Sequence, residues 1–202
     1  VDIADVSDAY AVVGEPVSRE SEAGEPMAWV DRWPGLVGDT AAYGPVEGHP
    51  GADWAWREVI VPRAELDAVV GERPLAGMWA LEALRVAAWR PRLGFETDHR
   101  TIPHEVDWLR TAVHLHKGCY RGQETVARVK NLGRPPRRLV FLHLDGSGHV
   151  LPAAGTSIEV GGRVVGRVTS VARHEQDGPI ALAVVKRSLP VDLDLQIPVG
   201  EG

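Results

Sequence analysis

The chain changes its pattern at residues 133–136, where the sequence reads Gly-Arg-Pro-Pro. Before this point apolar residues recur at helical spacing, over residues 77–89 and again over 123–132. After it, five runs with strand character follow at short spacing, and no helical pattern interrupts them. Glycine followed by a proline pair is typical of a helix end. The sequence therefore predicts an α+β domain at residues 1–133 and a small antiparallel β-barrel domain at residues 134–202.

Strands are predicted wherever polar and apolar residues alternate between turn residues. In the first domain these runs are Val1–Val6, Tyr10–Val13, Ala28–Val30, Leu36–Val37 and Trp54–Val61. Helices are predicted over Arg63–Val70 and Gly77–Trp89. In the second domain the strands are Arg137–Asp145, Ser157–Val160, Arg163–Ala172, Ile180–Lys186 and Leu193–Val199. Gly161-Gly162 marks a hairpin turn between two of them.

The composition is that of an ordinary soluble globular protein, with 44% hydrophobic and 25% charged residues in 202. A single cysteine can form no internal disulfide, which suits a reducing cytoplasm. No apolar run approaches the roughly 20 residues of a membrane span, so a cytoplasmic location and no membrane partner are expected. The net charge of −6 argues against nucleic acid as a partner.

The only cysteine lies in the stretch Lys117-Gly118-Cys119-Tyr120-Arg121-Gly122-Gln123-Glu124. Two glycines and two cations flank the thiol, and an amphipathic helix is predicted to begin just after it. The positive end of a helix and nearby Lys or Arg side chains both favour the thiolate. The residues alone leave two interpretations open for Cys119, a reactive thiol or a buried structural one.

This octapeptide resembles the signature of the YgfZ-type folate-binding proteins, which are relatives of the glycine-cleavage T-protein (aminomethyltransferase). The segments 93–97 and 101–105 resemble the family sequence upstream of the cysteine, and 166–170 with 178–183 resemble its C-terminal barrel. The resemblance implies a T-protein-like sandwich followed by a barrel, and tetrahydrofolate or a derivative as cofactor. It also implies a role in iron–sulfur cluster assembly or repair, with Cys119 as the key thiol and iron–sulfur client or assembly proteins as partners. Because Val1 opens inside an apparent strand, an N-terminal part of the folate-binding region is expected to be missing.

Folate-binding residues are predicted at Arg85, Trp89 and Arg128. Many relatives carry Arg-x-Glu-Ala-Gly-x-Pro where this chain has Arg-Val-Ala-Ala-Trp-Arg-Pro at 85–91. Ala87 thus replaces a Glu that contacts the pterin, and Trp89 replaces a glycine. Trp89 either offers the pterin a stacking face or fills the core at a helix end.

Seven cations and one anion, Glu124, lie between residues 117 and 138. The cations are Lys117, Arg121, Arg128, Lys130, Arg134, Arg137 and Arg138. They form either a solvated face or an anion-binding rim for the glutamate tail of folate or an acidic protein.

One further kind of site and two further functions remain open. His114, His116 and Cys119 form an incomplete metal-ligand set with no fourth ligand nearby, and the resemblance supplies no metal. A folate-dependent aminomethyl or one-carbon transferase is the second function that the resemblance allows. A protein-interaction module that binds no folate is the third.

Overall fold

The structure is a computed structural model and describes residues 2–146 and 150–198. The chain forms two compact units, which are Val1–Arg32 with Asp53–Ala76, and Trp33–Ala52 with Gly77–Gly202. The predicted domain boundary between residues 133 and 134 lies inside the second unit and stays a prediction. Helices and antiparallel sheets are both present, so the predicted α+β class is confirmed.

The first unit is built on a three-stranded antiparallel sheet with β3 in the middle. Its strands are β1 (Tyr10–Glu15), β2 (Ala28–Val30) and β3 (Arg57–Pro62). The side chains of β3 alternate as predicted, since Val59 and Val61 are buried while Ile60 is exposed. A 3₁₀ turn (Arg63–Glu65) and α1 (Leu66–Val70) follow directly.

Two strands predicted in the first domain are wrong. Residues 2–6 have no regular secondary structure and are exposed, and Val1 lies outside the described residues. The Asp5 carboxylate accepts a hydrogen bond from the Ser7 N–H (2.9 Å), and this local bond starts a turn that competes with strand pairing. The predicted strand Leu36–Val37 is also absent, because the Val37 N–H bonds the Arg110 carbonyl (2.8 Å) instead of a neighbouring strand.

The second unit contains a four-stranded antiparallel sheet in the order β4-β7-β6-β5. The strands are β4 (Arg137–His143), β5 (Ser157–Val160), β6 (Arg163–His174) and β7 (Gly178–Lys186). All four were predicted within a few residues. The β5–β6 hairpin turns at Gly161 and Gly162, whose φ angles of 56° and 72° suit a tight hairpin turn.

Besides the sheet, the described residues of the second unit form three α-helices and a 3₁₀ turn. They are α2 (Met78–Ala87), a 3₁₀ turn (Pro103–Val106), α3 (Leu109–Ala112) and α4 (Gln123–Leu132). Helix α2 covers one face of the sheet, where Val86 packs with Ile180 and Leu182. The other face packs Ala183 and Val185 against the C-terminal segment. Burial on both faces explains why residues 180–185 are almost wholly inaccessible. Within the described ranges no helix has the length and apolarity to cross a bilayer.

The predicted barrel is not closed, because the described residues form an open sheet with β4 and β5 at its edges. The predicted fifth strand, Leu193–Val199, is wrong as far as it is described: only Gln196 pairs, forming one bridge with Glu159. Leu195 and Ile197 pack against the face of the sheet instead of extending its edge. Val199 lies outside the described residues.

Candidate functional site

The octapeptide forms the loop that leads into α4. Gly122 precedes the helix with φ 84°, a left-handed conformation that glycine adopts without strain, so the predicted turn and helix start are confirmed. Tyr120 anchors the loop by packing against Leu109, Val113 and Val126. Cys119 itself is exposed, which removes the interpretation of a buried structural thiol.

The remaining residues of the octapeptide are placed around this anchor. The Lys117 ammonium lies 4.6 Å from the centre of the Tyr120 ring, a cation–π distance. Gly118, Arg121 and Glu124 are exposed, and Gln123 is half-buried. Their functional roles stay predictions.

The predicted cation-rich stretch divides into two groups. Arg137 is bound bidentately by Glu105, with both N···O distances at 2.8 Å, and also contacts Asp98. Hydrogen bonds from Arg137 lower the pKa of Asp98. Arg138 donates to the Leu189 carbonyl (2.6 Å). These two arginines therefore serve the fold. The others are exposed, namely Lys117, Arg121, Arg128, Lys130 and Arg134.

Arg85 is enclosed in a buried ionic network, with 5% of its surface exposed. Its guanidinium donates to Glu82 (2.7 and 3.1 Å), Glu96 (3.1 Å), Ser170 (2.7 Å) and the Arg90 carbonyl (2.8 Å). These five bonds occupy its five N–H donors and leave none for a ligand. The predicted folate contact of Arg85 therefore has no support in the geometry; this side chain fixes the end of α2 instead.

Glu96 is the centre of the same network and is fully buried. Its carboxylate accepts hydrogen bonds from the hydroxyl groups of Thr169 (2.9 Å) and Ser170 (2.5 Å) and from the Arg92 N–H (2.7 Å). The network thus ties the segment after α2 to strand β6.

A cavity of about 310 Å³ lies within the second unit, between the segments around residues 33–49 and 89–107 and the sheet. Its aromatic lining residues are Trp33, Tyr43, His49, Trp89, His104 and Phe141. The volume falls in the lower range of small-molecule sites, and aromatic walls with a few polar groups are typical of such sites.

Trp89 forms one wall of this cavity in an unusual backbone conformation. Its φ of 53° lies in the left-handed region, which a bulky side chain adopts only when its surroundings hold it there. The indole stacks on Phe141 with ring centres 6.0 Å apart and planes at 18°, and meets His49 edge-on at 6.1 Å. Trp89 also packs against the core beside α2, as the core-filling interpretation expects, and its contact with a pterin stays a prediction.

Buried polar groups surround the other end of the cavity. Asp107 accepts a hydrogen bond from the Tyr43 N–H and pairs with Arg110, both at 2.5 Å. Burial raises the pKa of Asp107 despite these partners. Arg110 is 1% exposed and donates to the carbonyls of Pro34 (2.7 Å) and Pro45 (2.8 Å). This arrangement holds the segment that carries Tyr43 against the cavity.

Trp89 alone of the three predicted folate-binding residues lines the cavity. Arg128 lies exposed on α4, and Ala87 packs against the core beside α2. The octapeptide is connected to the cavity through one cluster, because Tyr43 lines the cavity and packs in the same group as Tyr120.

The possible metal ligands do not assemble. His114 and His116 lie in a loop rather than on a strand, and His116 is paired with Asp39 (2.6 Å). In the part of the chain that the structure describes, no group of three His, Cys, Asp or Glu side chains is arranged to hold a metal ion.

Because His49 is buried, we expect the protein to lose stability in acid. Burial lowers its pKa to about 4, and its Nδ1 accepts a hydrogen bond from the Gly51 N–H (2.9 Å). In the unfolded chain its pKa is about 6.5, so between pH 6.5 and 4 the unfolded state binds more protons. This residue should therefore lower the free energy of unfolding by about 3 kcal/mol as the pH falls through that window.

The measurement is urea denaturation at pH 7 and pH 4.5. His49→Asn keeps an acceptor for Gly51 but cannot titrate, so its stability should depend less on pH than that of the wild type. His99→Asn, at an exposed position, is the control and should behave like the wild type. Equal pH dependence in His49→Asn and wild type would contradict the assignment.

A family profile described as the glycine cleavage T-protein C-terminal barrel domain matches residues 137–202. A relative from Aliivibrio fischeri named tRNA-modifying protein YgfZ is 34% identical over 139 residues, which are 65% of this chain and 41% of the relative. An aminomethyltransferase from Streptomyces avermitilis is 34% identical over 112 residues, 54% of this chain and 30% of that protein.

A solved structure supports the same assignment of the fold. The crystal structure of glycine cleavage system aminomethyltransferase T from Bartonella henselae aligns with a TM-score of 0.54 and 23% identity, covering 69% of this chain and 40% of that chain. The protein therefore has a T-protein-like fold. Over its matched part the chain is similar to YgfZ-type proteins, and the predicted resemblance is confirmed. The chain spans less than half the length of the curated relatives that it matches.

Sequence reasoning missed most of the cavity. His104 lies in a stretch that resembles the family, but nothing in its spacing distinguished it from a core histidine. Trp33, Tyr43 and His49 lie in turn-rich segments without periodicity, so only the folded chain brings them to Trp89.

Proposed function

We propose that this protein is a cytoplasmic, tetrahydrofolate-binding accessory protein of the YgfZ type, and that the aromatic cavity receives the pterin ring. The observation that carries the proposal is Trp89, which adopts a glycine-like backbone conformation and presents its indole to the cavity. Backbone strain in a bulky residue is found where surrounding structure maintains a functional geometry. A flat aromatic wall suits a planar heteroaromatic ring.

The five exposed cations at residues 117–134 support binding of the folate tail. Carboxylates of a folate tail, or of an acidic partner protein, would pair with arginine side chains there. Arg128 belongs to this group, and its predicted folate contact is proposed through the tail rather than the ring.

Cys119 is proposed to act in the assembly or repair of iron–sulfur clusters in partner proteins. Its exposure makes the thiol accessible to a partner, which a packing role would not require. Tyr120 of the thiol loop and Tyr43 of the cavity wall pack against the same hydrophobic cluster. The loop and the proposed ligand cavity are therefore held in place by the same residues.

The second candidate function is a folate-dependent aminomethyl transfer, because several of the matched relatives are named aminomethyltransferases. The proposed cavity serves either function. Calorimetric titration with 5-formyltetrahydrofolate tests folate binding, and an assay for aminomethyl transfer then separates the two. An interaction module would give no saturable heat with the folate.

Cys119→Ser is expected to separate thiol chemistry from folding. Because the side chain is exposed, the free energy of unfolding should change by less than about 0.5 kcal/mol. Complementation of a strain defective in iron–sulfur enzyme activity should be lost. Thr125→Ser, an exposed change on α4, is the control and should complement normally.

Iodoacetamide labelling provides the accompanying measurement. The native thiol should react without prior denaturation, because its side chain is exposed. Normal complementation by Cys119→Ser would contradict the proposed thiol role.

A further inference from the structure

His104 is the one cavity-lining histidine whose ring nitrogens both lack a hydrogen-bond partner in residues 2–146 and 150–198. Its side chain is 2% exposed, and it lies in the 3₁₀ turn Pro103–Val106. The backbone of Val126 lies beside the ring, but no hydrogen bond of normal geometry reaches either nitrogen. Buried polar atoms in folded proteins are nearly always paired, so two orphaned atoms on one side chain call for an explanation.

Folding does not supply that explanation, because the neighbours of His104 are engaged elsewhere. The Glu105 carboxylate is held by Arg137, and the Asp107 carboxylate by Arg110. Tyr43 meets the imidazole with its ring, edge-on at 4.8 Å between centres, rather than through a hydrogen bond. An apolar side chain of similar size would fit these surroundings without leaving polar atoms unpaired.

The protonation of the ring fits a role in binding. Burial lowers the pKa of His104, so the imidazole is neutral at pH 7 and carries one donor and one acceptor. A second buried and unpaired donor, the Nε of Arg138, lines the same cavity. The aromatic walls therefore enclose both hydrogen-bond donors and a hydrogen-bond acceptor.

We propose that His104 is a specificity-determining residue of the cavity, which hydrogen-bonds the polar edge of the pterin ring while Trp89 contacts its face. This inference rests on the proposed folate function. It assigns recognition of the ring to a side chain on the 3₁₀ turn Pro103–Val106. A site that pairs a ligand's polar edge discriminates strongly against ligands that lack it.

The test compares His104→Leu and His104→Gln with the wild-type 202-residue chain. Calorimetry with 5-formyltetrahydrofolate measures affinity, and urea denaturation at pH 7 measures stability. His104→Leu should weaken binding by about tenfold or more, because it removes both nitrogens. Its urea midpoint should be unchanged or higher, because it removes unpaired buried atoms. His104→Gln keeps a donor and an acceptor and should recover most of the affinity.

The outcomes distinguish this inference from the function on which it rests. Wild-type affinity in His104→Leu overturns the role of His104 and leaves folate binding standing. A lowered urea midpoint in His104→Leu together with unchanged affinity identifies a packing histidine and also overturns it. Failure of the wild-type chain to bind the folate overturns the proposed function and this inference together.

Discussion

Arg85→Met is expected to lower the free energy of unfolding by about 3–5 kcal/mol, the usual result of removing one partner of a buried ion pair. The change leaves the Glu96 carboxylate buried without its cation and deprives Ser170 and the Arg90 carbonyl of a donor. Folate affinity should fall as well, because the bond to the Arg90 carbonyl fixes the backbone next to Trp89. Urea denaturation and calorimetry measure the two effects.

Two further variants isolate the unpaired charge as the cause. Arg85→Met combined with Glu96→Gln should recover part of the lost stability, since the buried charge is removed along with its partner. Arg100→Met, at an exposed position in the segment after α2, should change stability by less than about 0.5 kcal/mol. A cost below about 1 kcal/mol for Arg85→Met would show that the network is dispensable.

Trp89→Gly is expected to weaken folate binding by roughly five- to 150-fold, the equivalent of about 1–3 kcal/mol of aromatic stacking. Glycine adopts the left-handed backbone conformation at this position without strain, so the turn after α2 should survive. Calorimetry with 5-formyltetrahydrofolate measures the loss, and Trp89→Phe should retain part of the affinity because it keeps an aromatic face.

Trp79→Ala is the matched control for Trp89→Gly. Trp79 belongs to α2 but is 92% exposed and does not line the cavity. This variant removes a tryptophan from the same helix region and should bind the folate as tightly as the wild type. Equal affinity in Trp89→Gly and Trp79→Ala would remove Trp89 from the site.

The sequence predicts the second sheet well because its signals are local. Strand β7 has a long apolar run, and glycines with positive φ mark the turn between β5 and β6. Helix α4 begins after Gly122 as expected, because a glycine turn before an amphipathic run is also a local signal.

What the sequence could not predict depends on contacts between distant residues. Whether a sheet closes into a barrel depends on which edges pair, and Leu195 and Ile197 favour packing on the face over pairing at the edge. The cavity escapes prediction for the same reason, since His49, Trp89 and His104 come from three separate segments.

Arg85 illustrates the limit of transferring a role by resemblance. The motif around residues 85–91 places an arginine beside the expected pterin site, yet all of its donors are used within the protein. Which acceptors surround an arginine is decided by the folded neighbours, here Glu96 from the next segment and Ser170 from β6.

A crystal structure of the chain grown with saturating 5-formyltetrahydrofolate tests the central claim most directly. The account predicts the pterin ring in the aromatic cavity, with its face against Trp89, a polar atom within hydrogen-bond distance of a His104 nitrogen, and its tail toward the exposed cations near Arg128. A pterin ring bound elsewhere on the protein, or a cavity without the ligand in such crystals, would contradict it.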